Sequence, residues 1–278
     1  MKLKLLTIIK NTIMNDITIV TAFFDIGRGD WTPDKGLPHY LQRTTKTYMD
    51  RFALMAKLEN PMVVYTSKEF AGDVKLLRQD RPTDILTIDF EESFKELKEA
   101  VTKVQQDPNY QSKINPTQVR NPEYWNSDYV VVNALKSSFV TKAIQNQLVK
   151  TDLVAWLDFG YCRDKTTLNG VTKWQYPFDK DKIHLFNIKD FVPETFIVDV
   201  IANNDVHITG PCIVAGKDMW PTLEALVYHS TTELLKNNLI DDDQTLLLMS
   251  YLSKPELFEL HKVSENDWFV AFKEYNDN

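Results

Sequence analysis

Three places in the chain gather side chains able to do chemistry. The most suggestive is an acid at the end of an apolar run: Leu153-Val-Ala-Trp-Leu157 reads as a buried strand and delivers Asp158, followed by Phe159 and Gly160. A strand-end carboxylate beside a small residue suits a hard cation bridging a diphosphate, because such cations take oxygen ligands and magnesium often uses only one or two carboxylates. An acid that merely caps its own turn is the plain alternative. The second place follows Ile17-Thr-Ile-Val-Thr-Ala-Phe-Phe24 and offers Thr21, Asp25, Arg28 and Asp30. There, glycines 27 and 29 permit tight turning and Arg28 carries a planar donor fork for phosphate, against the simpler reading of a surface turn with a paired arginine. The third is Val206-His-Ile-Thr-Gly-Pro-Cys-Ile-Val-Ala-Gly216 with the later Asp241-Asp-Asp-Gln-Thr245. Gly210 would let a sugar approach the backbone, while Asp242 or Asp243 would position hydroxyls or stabilise positive charge developing on a sugar ring. Helix capping competes for at least one of these three acids.

Elements that alternate along the chain must bring these places together. Residues 17–24 predict a strand, apolar recurrence predicts a helix over about 38–57, and Pro61 introduces a strand at 62–66. A further strand is predicted at 85–89, a polar helix at about 93–106, and a long helix at about 127–148 after an Asn/Pro/Gln/Tyr-rich insertion. That last helix carries an apolar stripe of Val132, Leu135, Phe139 and Ala143 and a polar one of Asn133, Lys136 and Ser137. The alternation implies parallel strands covered by helices, with ligands at the carboxyl ends of the strands. Beyond residue 166 the pattern is α+β, with strands near 183–186 and 206–215 and helices near 221–236 and 243–253. The expected class is therefore α/β: one domain over residues 14–278, with a Rossmann-like half at about 17–158 and a second half at 159–278. Residues 1–13 read as an extension, so a chain beginning at Met14 should be as stable as the whole.

Composition removes several functions. The chain has 278 residues, 43% of them apolar, and a formal charge of −7, which disfavours sequence-independent nucleic-acid binding. Two cysteines, Cys162 and Cys212, form no metal or disulfide pattern and fit a reducing compartment. The amino end lacks a signal-peptide pattern, and no apolar run would cross a bilayer, so a cytoplasmic protein with at most peripheral contact at the inner membrane is expected. P-loop, zincin and nucleophile-elbow motifs are absent, and Gly27-Arg-Gly29 lacks the third glycine of a dinucleotide fingerprint. His261 stands as a late imidazole ligand or a core-edge histidine. Trp125, Trp156, Trp174 and Trp268 are candidates for stacking on sugars or for packing.

Thr18-Ile-Val-Thr-Ala-Phe-Phe-Asp-Ile-Gly-Arg-Gly-Asp-Trp31 resembles the opening of the bacterial WlaTC/HtrL/YibB family. Asn133-Ala-Leu-Lys-Ser-Ser-Phe139, Trp156-Leu-Asp-Phe-Gly-Tyr161 and the Asp-Asp-Gln at 242–244 resemble its internal blocks, so the likeness spans about 17–268. The family is grouped with GT-A-type glycosyltransferases and associated with lipopolysaccharide or other surface-glycan assembly. The resemblance thus implies a GT-A-like fold, a nucleotide-sugar donor (a UDP-sugar first), an oligosaccharide or glycolipid acceptor, and Mn²⁺ or Mg²⁺. On this reading Thr21, Phe23, Asp25, Arg28, Asn133, Lys136, Asp158 and Gly210 hold the donor. Asp242 and Asp243 are the catalytic candidates, and Asp158 with His261 would hold the metal. GT-A enzymes commonly hold their metal with Asp-x-Asp; here Gly160 replaces the second acid. A binding protein that keeps the scaffold without turnover is the alternative.

Overall fold

The computed structural model describes residues 16–190 and 196–277. The extension at 1–13 and the expectation for Met14 lie outside the described residues. Seven strands form one sheet in the order β3-β2-β1-β4-β6-β5-β7. They are β1 Ile17–Phe23, β2 Met62–Thr66, β3 Thr83–Thr87, β4 Leu153–Leu157, β5 Ile183–Asn187, β6 Ile208–Gly216 and β7 Phe258–Lys262. The first four run parallel; β1, β2 and β4 are buried throughout, as their continuous apolar runs require, while the edge strand β3 is half-buried. β6 is antiparallel to both β4 and β5, and β7 closes the edge parallel to β5.

Helices cover both faces. One face carries α1 (Thr45–Met55) and α2 (Ala71–Arg78); Phe52, Met55 and Val74 pack there with Ile17, Val64 and Leu157. The other carries α3 (Lys95–Gln105), α4 (Ser127–Ala134), α5 (Lys136–Gln145), α6 (Trp220–Lys236) and α7 (Asp243–Ser253) over Val20, Val154, Trp156 and Ile213. Arg78 is fully buried and donates to the carbonyl oxygens of Ala56, Leu58, Asn60 and Pro82, tying the end of α1 to the start of β2. The result is the expected single mixed α/β domain with helices on both faces.

Several boundaries differ from the sequence expectation for identifiable reasons. The helix expected from residue 38 starts at Thr45, where the Thr44 hydroxyl accepts from the backbone N–H of Thr47; residues before it form short 3₁₀ turns. The strand expected at 85–89 lies at Thr83–Thr87, with Thr83 paired to Met62. The single helix expected over 127–148 is two, meeting at Leu135. Beside the junction the Asn133 side chain donates to the Tyr129 carbonyl, competing with the helix's own backbone bond. α2, the short helix Ile197–Asn203 and the edge strand β7 were not expected; each is too short to show a periodic signal above its polar neighbours.

Candidate functional site

β1 has β2 on one side and β4 on the other, so the chain leaves the carboxyl ends of these central strands in opposite directions and a crevice opens there. Residues 22–26 beyond and along the end of β1, Asp158–Gly160 beyond β4 and Gly210–Pro211 at the start of β6 line a cavity of about 220 Å³. β6 is joined to the β4 tip by its backbone: the Asp158 N–H donates to the Pro211 carbonyl at 2.9 Å. Tyr129, Asn133 and Lys136 enter from α4 and α5, and Asp243 and Gln244 from the first turn of α7.

Lys136 forms the floor. Its ammonium donates to Asp243 Oδ2 at 2.7 Å and to the Gly210 carbonyl at 3.0 Å, and lies 2.9 Å from Asp158 Oδ1. Burial alone would lower its pKa, but Asp158 and Asp243 together outweigh it and hold the ammonium charged. Asp158 Oδ1 also accepts from the indole N–H of Trp156 at 2.9 Å. Gly210 has its place for want of room: a Cβ there would fall 1.7 Å from Asp243 Oδ2. The glycine thus lets the α7 carboxylate reach the ammonium.

Arginines make the wall. Arg28, Arg43 and Arg163 line the cavity. Arg28 is clamped, donating to the Tyr48 hydroxyl at 3.0 Å and, through Nε and Nη2, to the Leu41 carbonyl, with its guanidinium 4.9 Å from the Trp31 ring centre. The Arg163 guanidinium stands 4.5 Å from the ring centre of Phe269. Burial, then Arg43 and Arg51, push its pKa down to about 10; burial and Arg43 lower Arg51 likewise. Such a group of crowded guanidinium ions is stabilised by a bound anion.

A second cavity, of about 300 Å³, adjoins the first and shares Arg28, Arg43, Tyr129, Gln244 and Trp268 with it. Its own acids are Glu123 and Asp242. Asp242 caps α7, with Oδ1 accepting from the Gln244 N–H at 3.0 Å, while Oδ2 lies 3.5 Å from the Tyr129 hydroxyl. Burial, then Asp243 and Asp241, raise Asp242 well above the carboxylate range. Burial also pushes Asp241 up to about 7 and, with Asp241 adding to it, Glu123 up to about 8. Capping and cavity lining thus coexist in Asp242.

The predicted residues are not all brought together. Arg28, Asn133, Lys136, Asp158, Gly210 and Asp243 meet in the first cavity, and Asp242 faces the second. Thr21 does not belong: it is fully buried within β1, away from the strand tip, and its hydroxyl makes no hydrogen bond among the described residues. Phe23 borders the cavity, but its ring is packed against Tyr48, Phe70 and Phe159, so it supports the wall. Asp25 also lines the first cavity, and its exposed carboxylate accepts from the Gly27 N–H and the Thr45 hydroxyl, so it serves the turn as well. His261 is the larger correction. It sits on β7, where its Nε2 lies 2.9 Å from Nδ1 of His184, with Glu259 alongside, and it does not line the cavity that holds Asp158. Strand register puts it there: Phe186 pairs with His261 and His184 with Glu259 across β5 and β7.

Sequence reasoning passed over Arg43, Arg163, Tyr129 and Glu123. Arg163 follows Asp158 in the same tip segment, and Tyr129 continues the polar stripe of Asn133 and Lys136 one turn earlier, so both carried a signal. Arg43 sits in an irregular segment and Glu123 in a single 3₁₀ turn, Pro122–Tyr124, and neither carried one. Of the four tryptophans, Trp268 lines both cavities, Trp156 backs Asp158, Trp174 is fully buried and Trp125 packs edge-on to Trp31.

Protein HtrL of Escherichia coli (strain K12) is 40% identical to this chain over 264 residues, covering 94% of the chain and 93% of that protein. Among solved structures, the apo form of mouse xyloside xylosyltransferase 1 aligns over 88% of this chain and 85% of its own, with 11% identity and a TM-score of 0.39. The family model described as bacterial protein of unknown function (HtrL_YibB) matches residues 15–277, and the chain belongs to that family.

Proposed function

We propose that the protein is a glycosyltransferase moving a sugar from a nucleotide-sugar, a UDP-sugar first, to a carbohydrate acceptor of the bacterial surface, an oligosaccharide or glycolipid. One observation carries this reading: a pocket walled by Arg28, Arg43 and Arg163 and floored by Lys136 at the switch point of the parallel strands, opening into a second cavity that holds Asp242. The surface-glycan acceptor and the GT-A likeness come from the sequence resemblance. No helix among the described residues is long and apolar enough to cross a membrane, and we place the reaction in the cytoplasm, where nucleotide-sugars are made.

In this reading the donor diphosphate lies against Arg43 and Arg163, and its sugar points toward Asp243 and the shared Trp268. An acceptor hydroxyl enters from the second cavity. Its oxygen bonds to the anomeric carbon as the bond from that carbon to the phosphate oxygen breaks. The electron pair leaves with the nucleoside diphosphate, whose charge the arginines and Lys136 stabilise, and the hydroxyl proton passes to Asp242. The raised pKa of Asp242 makes it a stronger base for that proton once ionised. The Mn²⁺ or Mg²⁺ that the resemblance implies does not fit the pocket floor, because Lys136 already bridges the carboxylates that would bind it.

Incubating the protein with UDP- and GDP-sugars and surface-glycan fragments tests the function. Nucleoside diphosphate should accumulate with one donor, and Asp242→Asn should abolish its release while preserving donor binding. Binding without release across the panel would favour a nucleotide-sugar-binding protein.

A further inference from the structure

We infer that this pocket carries the donor diphosphate on fixed protein cations alone, with the Lys136 ammonium standing where a metal-dependent enzyme would hold its divalent ion. The inference rests on the nucleotide-sugar reading above and specifies how that site meets the phosphates.

The geometry around Lys136 is that of a cation site already filled. Two carboxylate oxygens and one carbonyl oxygen converge on Nζ at 2.7, 2.9 and 3.0 Å, from Asp243, Asp158 and Gly210. Oxygen donors of this kind are those a hard divalent ion collects. A divalent ion introduced among them would meet a buried positive charge at contact distance, in surroundings that screen it poorly. The two acids in turn hold the ammonium protonated, so it does not leave by losing its charge near neutral pH.

Room for a second metal-binding acid has been used for something else. At Gly160, a Cβ would lie 3.2 Å from the Tyr48 ring and 3.5 Å from Arg51 Cδ. The wall at this point is therefore closed by an aromatic ring and an arginine stem. Tyr48 is held in turn by the Arg28 guanidinium at 3.0 Å. Among the described residues, the one trio of potential ligands gathered within 4.8 Å is His184, Glu259 and His261, which does not line this cavity. What the cavity offers instead is Arg28, Arg43 and Arg163, and guanidinium ions bind phosphate through paired N–H donors without an intervening ion.

The test uses the full wild-type chain. UDP, GDP and ADP are titrated by calorimetry in EDTA and, separately, with Mn²⁺, and Mn²⁺ alone is followed by electron paramagnetic resonance. The expected result is one nucleoside diphosphate bound with an affinity that differs less than about threefold between the two conditions, and a hydrated-Mn²⁺ signal unchanged by the protein. Lys136→Ala should then gain about one Mn²⁺ per chain, since Asp158 and Asp243 lose their counter-ion. Nucleotide binding that appears only with Mn²⁺ overturns the inference and leaves the nucleotide-sugar reading standing. Absence of binding in both conditions overturns that reading, and this inference with it. The wild-type arms decide the matter even where Lys136→Ala does not fold.

Discussion

The two adjoining cavities share a wall and differ in charge. The first presents Arg28, Arg43, Arg163 and Lys136, and its acids Asp158 and Asp243 share the Lys136 ammonium as their common partner. The second presents Glu123 and Asp242, with Asp241 buried behind them, and these acids are crowded against one another. A diphosphate suits the first, which adds Arg163 and Lys136 to the shared Arg28 and Arg43; a sugar hydroxyl that must give up a proton suits the second. The difference teaches that Asp242 and Asp243, adjacent in sequence, serve opposite purposes. Helical geometry at the start of α7 points one into each cavity.

Substitutions at the shared wall should separate the two. The largest effect is expected for Asp242→Asn: turnover falls by about a hundredfold or more, as for loss of a general base, while the calorimetric affinity for nucleoside diphosphate is unchanged. Gly210→Ala should come next. Its methyl group displaces the Asp243 carboxylate from Lys136, costing roughly 1–3 kcal/mol of stability by overpacking and weakening donor binding, as read by thermal unfolding and titration. Arg163→Ala and Arg43→Ala should each weaken nucleoside diphosphate binding about tenfold, which corresponds to about 1.4 kcal/mol, with the loss shrinking as salt increases. If these arginine variants instead changed only acceptor affinity, the division of labour between the cavities would fail.

The smallest effect concerns pH. Glu123 is raised from 4.5 to about 8 and Asp241 from 3.8 to about 7, burial being the chief cause. Folding therefore favours their protonated forms. Their contribution to stability is complete below about pH 4 and is lost as pH rises through 7 and 8. Glu123→Gln removes one of these carboxyls and should raise Tm at pH 8.5 by roughly 2–4 °C for each kcal/mol relieved, with a smaller difference at pH 5. An equal shift at both values would mean that Glu123 keeps its ordinary ionisation.

Much of the scaffold was legible because its signals are local. β1, β2 and β4 are short apolar runs, α7 begins at a capping aspartate, and the strand-tip rule pointed to Asp158 and Arg28, while Gly210 joined the donor site through the family resemblance. The failures share a physical origin in non-local pairing. Whether His261 joins Asp158 depends on which strand β7 lies beside, and parallel pairing with β5 takes it to His184. Thr21 was grouped with Arg28 by closeness in sequence, but it is buried within the strand, and of this stretch residues 22–26 and Arg28 line the crevice. Arg43 comes from an irregular segment and Glu123 from a single 3₁₀ turn, both too short to display a period.

The most direct test of the central claim is a crystal structure of the wild-type protein with UDP. Both phosphates should lie within about 2.7–3.2 Å of guanidinium nitrogens of Arg43 or Arg163, with Lys136 still on Asp158 and Asp243. Phosphates seated away from these arginines would contradict that claim.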